Sequence, residues 1–181
     1  MKLKIIKDSN PIMRKKSLPV EMPLSKEDKE LLDSMLDYLV KSQNDEYAKK
    51  HNLRAGVGMA AIQVGVLKRM FVIFYEKDEG VFVRYQLVNP KIIEESIKKC
   101  ALEQGEGCLS VDGDHKGLVH RHYKIVMEAY DALQNKNIVI TARGFDAIVL
   151  QHEYDHLEGM FFYDRIDKKD PLKPQFNEEI I

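Results

Sequence analysis

The sequence predicts an α+β fold: antiparallel β-sheets packed around a central helix late in the chain, with a second helix near the N-terminus. Three observations predict it. An amphipathic helical pattern fills residues 25–42. Stretches rich in Val, Ile, Phe and Tyr, folded about turns, follow between 69 and 142. A second helical stripe then begins at Phe145. With 181 residues, the chain is expected to form one domain over 1–181 with a core of its own.

Residues 2–6 read as a short edge strand. Asp8-Ser9-Asn10-Pro11 is turn chemistry, because Pro11 fixes its own φ and holds Asn10 out of the helical region. Residues 17–23 contain two prolines and read as extended. Ser25-Lys26-Glu27-Asp28 resembles a capping box, and Leu31, Leu32, Met35, Leu36, Leu39 and Val40 follow at helical spacing. Residues 44–52 are polar and allow either a loop or a frayed extension. Gly56 and Gly58 let the backbone bend or approach a ligand closely; read alone, Gln63 beyond them is a surface amide. Residues 69–75 and 81–89 flank Asp78-Glu79-Gly80 as a hairpin. Pro90 is expected to interrupt, with 91–97 forming another strand. Residues 123–130 and 137–142 read as a second hairpin.

Composition narrows the function classes. Apolar residues make up 44% and charged residues 31%, as in a soluble globular protein. The 28 basic and 29 acidic residues nearly cancel, so no nucleic-acid-binding surface is expected. The longest apolar run, from Met70 to Tyr75, is too short to cross a bilayer. Nothing at the start resembles a signal peptide, and two cysteines make no disulfide framework. The expected location is the cytoplasm, with reduced thiols.

Chemistry concentrates in Gln151-His152-Glu153-Tyr154-Asp155-His156. A helix turns about 100° per residue, so His152 and His156 project from one face and suit a shared metal ion. Glu153 can there take a proton from water and return it. Phe145, Ile148 and Val149 lead into the same stripe, and Gly159 is a plausible stop. Catalytic sites of this kind use a third protein ligand. Glu158, Asp164 and Asp167 downstream are candidates, as is Cys108 in Glu106-Gly107-Cys108-Leu109-Ser110. Cys100 lies in strand-like sequence and reads as a buried apolar residue.

Three stretches together resemble the peptide deformylases: Gly56-Val57-Gly58-Met59-Ala60-Ala61-Ile62-Gln63, Glu106-Gly107-Cys108-Leu109-Ser110, and Gln151-His152-Glu153-Tyr154-Asp155-His156-Leu157. The resemblance covers nearly the whole chain, including Arg121 and Phe162-Tyr163-Asp164-Arg165. The long spacing before the second stretch and the non-helical tail resemble the subclass common in Gram-positive bacteria. Ile62 stands where many members carry proline.

The resemblance implies a hydrolase that removes the formyl group from formyl-methionine on new polypeptides and releases formate. It implies Cys108, His152 and His156 as metal ligands and Glu153 as general base and acid. Gln63 and the Leu109 N–H would be donors to the oxyanion. Val57 and Gly58 would bind the substrate backbone, and Phe145, Ile148 and Val149 would line an apolar pocket. The metal implied is Fe2+, with Ni2+, Co2+ or Zn2+ as substitutes. Partners would be N-formylmethionyl peptides and nascent chains near the ribosome, with no membrane or direct nucleic-acid contact, and the protein would act as a monomer. The tail is expected to dock as an extended segment anchored by Phe176 or Ile180. Two rivals stay open on the residues alone: an endopeptidase using a downstream carboxylate, and a non-catalytic homologue that binds metal or peptide.

Overall fold

The computed structural model describes residues 3–181. Helix α1 (Lys26–Ser42) starts where Ser25 caps it, its side chain accepting from the Asp28 N–H. Residues 44–52 form a separate helix, α2 (Asp45–His51). Local capping explains it: the Asn44 side chain accepts from the Tyr47 N–H, and Asn52 closes the end at φ 52°. The strand expected at 2–6 is absent over residues 3–6, while residue 2 lies outside the described residues. That segment docks instead through the Ile6 N–H, which donates to the Gln63 carbonyl at 2.8 Å.

Among the described residues eight strands follow: β1 (Gly58–Ala60), β2 (Met70–Asp78), β3 (Val81–Glu95), β4 (Lys99–Ala101), β5 (Arg121–His122), β6 (Lys124–Asp131), β7 (Lys136–Arg143) and β8 (Glu179–Ile180). Five form an antiparallel sheet in the order β1-β2-β3-β6-β7. The other three form a small sheet, β5-β4-β8. Both expected hairpins are present. The expected break at Pro90 is not, because β3 runs through it to Glu95. The pairing with β6 shifts register between Val88 and Lys91, and Asn89 sits at φ 50°. A bulge takes Pro90 out of the ladder, so its missing N–H costs no sheet hydrogen bond.

The large sheet is covered on both faces. Alternate residues of β2 point opposite ways. Met70 and Val72 pack with Leu32, Met35 and Leu39 of α1. Phe71, Ile73 and Tyr75 pack with Ala147, Val149 and Leu150 of α3 (Phe145–Leu157). The later helix therefore lies against the inner face, contacting β1, β2, β5 and β7. Among the described residues no helix is long and apolar enough to cross a membrane.

The tail docks as β8, but in parallel with β4 and through its backbone. The Ile181 N–H donates to Ala101 O, and the Glu103 N–H donates to Ile181 O, both at 2.9 Å. Phe176 is fully exposed and Ile180 is 39% exposed, so neither side chain is the expected anchor. Side-chain fastening comes from Glu178, which pairs with His120 at 2.7 Å, and from Glu179, which pairs with Lys98.

Candidate metal centre

Helix α3 (Phe145–Leu157) follows its N-cap Gly144, and beyond its C-cap Glu158 the chain turns at Gly159, whose φ is +72°. A Cβ on Gly159 would meet the Arg14 carbonyl oxygen at 2.4 Å, so the stop also serves close packing. Between these ends, His152 and His156 lie one turn apart with ring centroids 5.0 Å apart. The loop carrying Cys108 comes up against them. One ligand atom from each of Cys108, His152 and His156 lies within 4.8 Å of the others. Cys108 Sγ and His156 Nε2 are 3.3 Å apart.

One thiolate and two imidazoles suit a four-coordinate divalent metal with one position left open. At this site two buried atoms, Glu153 Oε2 and His156 Nδ1, have no hydrogen-bond partner among the described residues. A carboxylate buried without a partner is costly unless an ion or reactant meets it. The residues present therefore fit a metal. The carboxylates considered as alternative ligands are engaged elsewhere: Glu158 pairs with Arg69 and Lys16, Asp164 pairs with Arg14, and Asp167 accepts from the Lys169 N–H at 2.8 Å.

A cavity of about 240 Å³ opens beside this group. Val57, Gly58, Gln63, Cys108, Leu109, Phe145, Ile148, Val149, His152 and Glu153 all line it. His156 alone of the singled-out residues does not; it is buried and reaches the centre through its contact with Cys108. Phe145, Ile148 and Val149 form an apolar wall next to the histidines. Burial pushes the Glu153 carboxyl up to about 7, against the pull of His152 and Arg121.

Gln63 is only 1% exposed, so its reading as a surface amide is corrected. It sits in a short 3-10 turn (Ala61–Val64) after β1, with Ile62 buried in the core beside it. The Ala60 N–H donates to Gln63 Oε1 at 2.8 Å, which turns the amide nitrogen the other way. Nε2 lies 3.1 Å from Ser110 Oγ and 3.5 Å from Cys108 Sγ. No local pattern reports this burial, because only the folded chain brings residue 63 against residue 108.

A buried charge network beneath the centre was not assigned from the sequence. His152 Nδ1 lies 2.7 Å from Glu106 Oε2. Arg121 grips Glu106 with two bonds of 2.8 Å and Asp155 with one of 2.5 Å. Arg165 adds two bonds of 2.6 Å to Asp155. Burial alone would raise the Glu106 carboxyl, yet the Arg121 charge and the hydrogen bonds from Arg121 and His152 hold it at about 2. A carboxylate behind a ligating histidine fixes its ring and tautomer. The available signal was the presence of Glu106 and Asp155 within the two motif stretches.

Comparison with known proteins agrees with this geometry. The profile of the family described as "Polypeptide deformylase" matches residues 2–172. A peptide deformylase of Macrococcus caseolyticus is 49% identical over 172 residues, spanning 94% of this chain and 93% of its own. One from Ligilactobacillus salivarius is 48% identical over 171 residues, covering 93% and 91%. Such relatives come mostly from Gram-positive bacteria, the group expected from the spacing and tail. Among solved structures, a probable peptide deformylase from Synechococcus phage S-SSM7 superposes with a TM-score of 0.74 at 34% identity. That match covers 91% of this chain and 100% of the other. A class I type b peptide deformylase from Acinetobacter baumannii reaches 0.72 at 30% identity, covering 92% and 99%.

Proposed function

The chain belongs to the polypeptide deformylase family, and from that premise we propose that Cys108, His152 and His156 hold a divalent metal beside Glu153. The protein is a hydrolase that removes the N-formyl group from formyl-methionine at the start of new polypeptides, releasing formate. What supports the ligand assignment above all is the convergence of the three ligand atoms within 4.8 Å, next to a carboxylate oxygen with no partner.

A divalent metal there supplies a Lewis acid, lowering the pKa of water and polarising the formyl carbonyl. The chain does the rest. Glu153 accepts a proton from the attacking water and passes it to the leaving amine. The Gln63 amide and the Leu109 N–H donate to the oxygen on which negative charge develops; one such donor contributes about 3 kcal/mol. Phe145, Ile148 and Val149 receive the methionine side chain, while the backbone of Val57 and Gly58 holds the peptide. Glu106 holds the His152 ring through Nδ1.

The metal we assign is Fe2+, with Ni2+ and Co2+ as working substitutes and Zn2+ as a stable but slow one. Zinc outcompetes ferrous iron in affinity, so it can fill the site during purification. Beside iron, Cys108 is open to oxidation towards sulfenic and sulfinic acid. Residues 1–181 act as one catalytic domain, monomeric and cytoplasmic, on formylated nascent chains near the ribosome. The test is formate release from a formyl-Met peptide by iron, nickel and zinc forms, before and after exposure to air. Fresh iron enzyme is expected to be fastest and to decay in air, while nickel enzyme survives. A zinc form as fast as fresh iron enzyme, or an iron form untouched by oxygen, would overturn the metal assignment.

A further inference from the structure

Gly58 carries no side chain, and the fold leaves it no room for one. A Cβ built on Gly58 would lie 2.3 Å from Glu153 Oε1, 2.7 Å from Cδ and 2.8 Å from Cγ. Ordinary van der Waals contact begins near 3.4 Å. Gly58 is not among the glycines with positive φ, so its backbone conformation does not demand glycine. The demand comes from the close approach of α3 to β1. The neighbouring glycines differ: Gly107 has open space where a Cβ would go, and at Gly56 the atoms nearest to a Cβ are those of the Leu109 side chain, at 3.0 to 3.3 Å.

We propose that Gly58 is a positioning residue whose missing side chain sets where the Glu153 carboxylate rests. The proposal rests on Glu153 being the proton carrier. Two further observations support it. Glu153 Oε2 has no hydrogen-bond partner among the described residues, so packing has to help hold this carboxylate. The backbone on the other side is held by the sheet: Gly58, Met59 and Ala60 pair with Ile73, Val72 and Phe71, and Met59 and Ala60 are fully buried.

An alanine at 58 would therefore push Glu153 rather than β1, because the three atoms nearest to its Cβ all belong to that one side chain. Restoring ordinary contact from 2.3 Å moves the carboxylate by about 1 Å. A misplacement of about 1 Å in a catalytic arrangement can slow turnover about 10²-fold. The backbone N–H and C=O of residue 58 survive the substitution, so peptide binding should change little.

The experiment is a cycle of Gly58→Ala, Glu153→Ala and the double variant, all nickel-loaded, with metal content, kcat, KM and Tm measured on each. Gly58→Ala should keep its metal, hold KM within a few-fold, lose kcat by about 10²-fold and melt below the parent. In the Glu153→Ala background Cγ, Cδ and both oxygens are gone, so Gly58→Ala should lower neither kcat nor Tm further. Equal losses of kcat in both backgrounds, or a rise in KM alone, would show that residue 58 acts on the peptide and would overturn the proposal. Equal losses of Tm in both backgrounds would overturn it without any appeal to activity. If Glu153→Ala alone kept full kcat, the base assignment would fall instead, while the Tm cycle would still report whether the two residues press on each other.

Discussion

Arg121→Leu removes a guanidinium that is completely buried and that holds two carboxylates at once. The side chains of Glu106 and Asp155 are only 4% and 5% exposed. After the substitution Asp155 keeps Arg165 at 2.6 Å, but Glu106 keeps only its contact with His152. Breaking a buried ion pair from one side costs about 3–5 kcal/mol, because the remaining charge stays desolvated. At about 2–4 °C per kcal/mol for a chain of this size, Tm should fall by roughly 6–20 °C. The melt belongs on metal-stripped protein, since bound metal would add its own stabilisation. Lys77→Ala is the control: its pair with Asp146 lies at the surface, with Lys77 49% exposed, and should be worth about 0–1 kcal/mol. A second effect should follow at the metal, because Glu106 would no longer be held behind His152. Loss of such outer contacts typically weakens metal binding about 10–100-fold. If Arg121→Leu melted within about 2 °C of the parent, the network could not be what orders this face of the centre.

Three other outcomes are expected. Cys108→Ala should lose metal and activity together, as read by metal analysis of the purified variant; full occupancy would remove Cys108 from the ligand set. Glu153→Ala should keep its metal yet lose about 10²–10⁴-fold in formate release, and a near-parental rate would refute its role in proton transfer. Deleting residues 175–181 removes the β4–β8 pairing, the two backbone hydrogen bonds of Ile181 to residues 101 and 103, and the Glu178–His120 pair. The two Ile181 bonds alone, at about 1 kcal/mol each, correspond to roughly 4–8 °C, so Tm should fall by at least that much; an unchanged melting curve would show that β8 adds no stability.

Much of what depends on residues near one another in the chain was legible in the sequence, although the short helix α2, capped locally by Asn44 and Asn52, was not. The spacing of His152 and His156 placed two imidazoles on one helical face, because the helical repeat is set by the backbone. The same repeat announced α1, and stretches rich in Val, Ile, Phe and Tyr about turns announced both hairpins. The motif order and the identity of Cys108 pointed to the family. What only the tertiary structure decided depends on residues far apart in sequence. Gln63 became a buried amide because the turn after β1 meets the loop of Cys108 and Ser110. Glu106, Arg121 and Asp155 joined in one network because β5 crosses α3, and no local pattern reports the burial of a charge. Pro90 stayed within β3 because the pairing with β6 accommodates a bulge there. The tail docked through its backbone because β4 offered a free edge to Glu179 and Ile180, and edge pairing asks little of side chains. Local chemistry is written in residue order, but burial, register and long-range charge pairing arise only when the whole chain has packed.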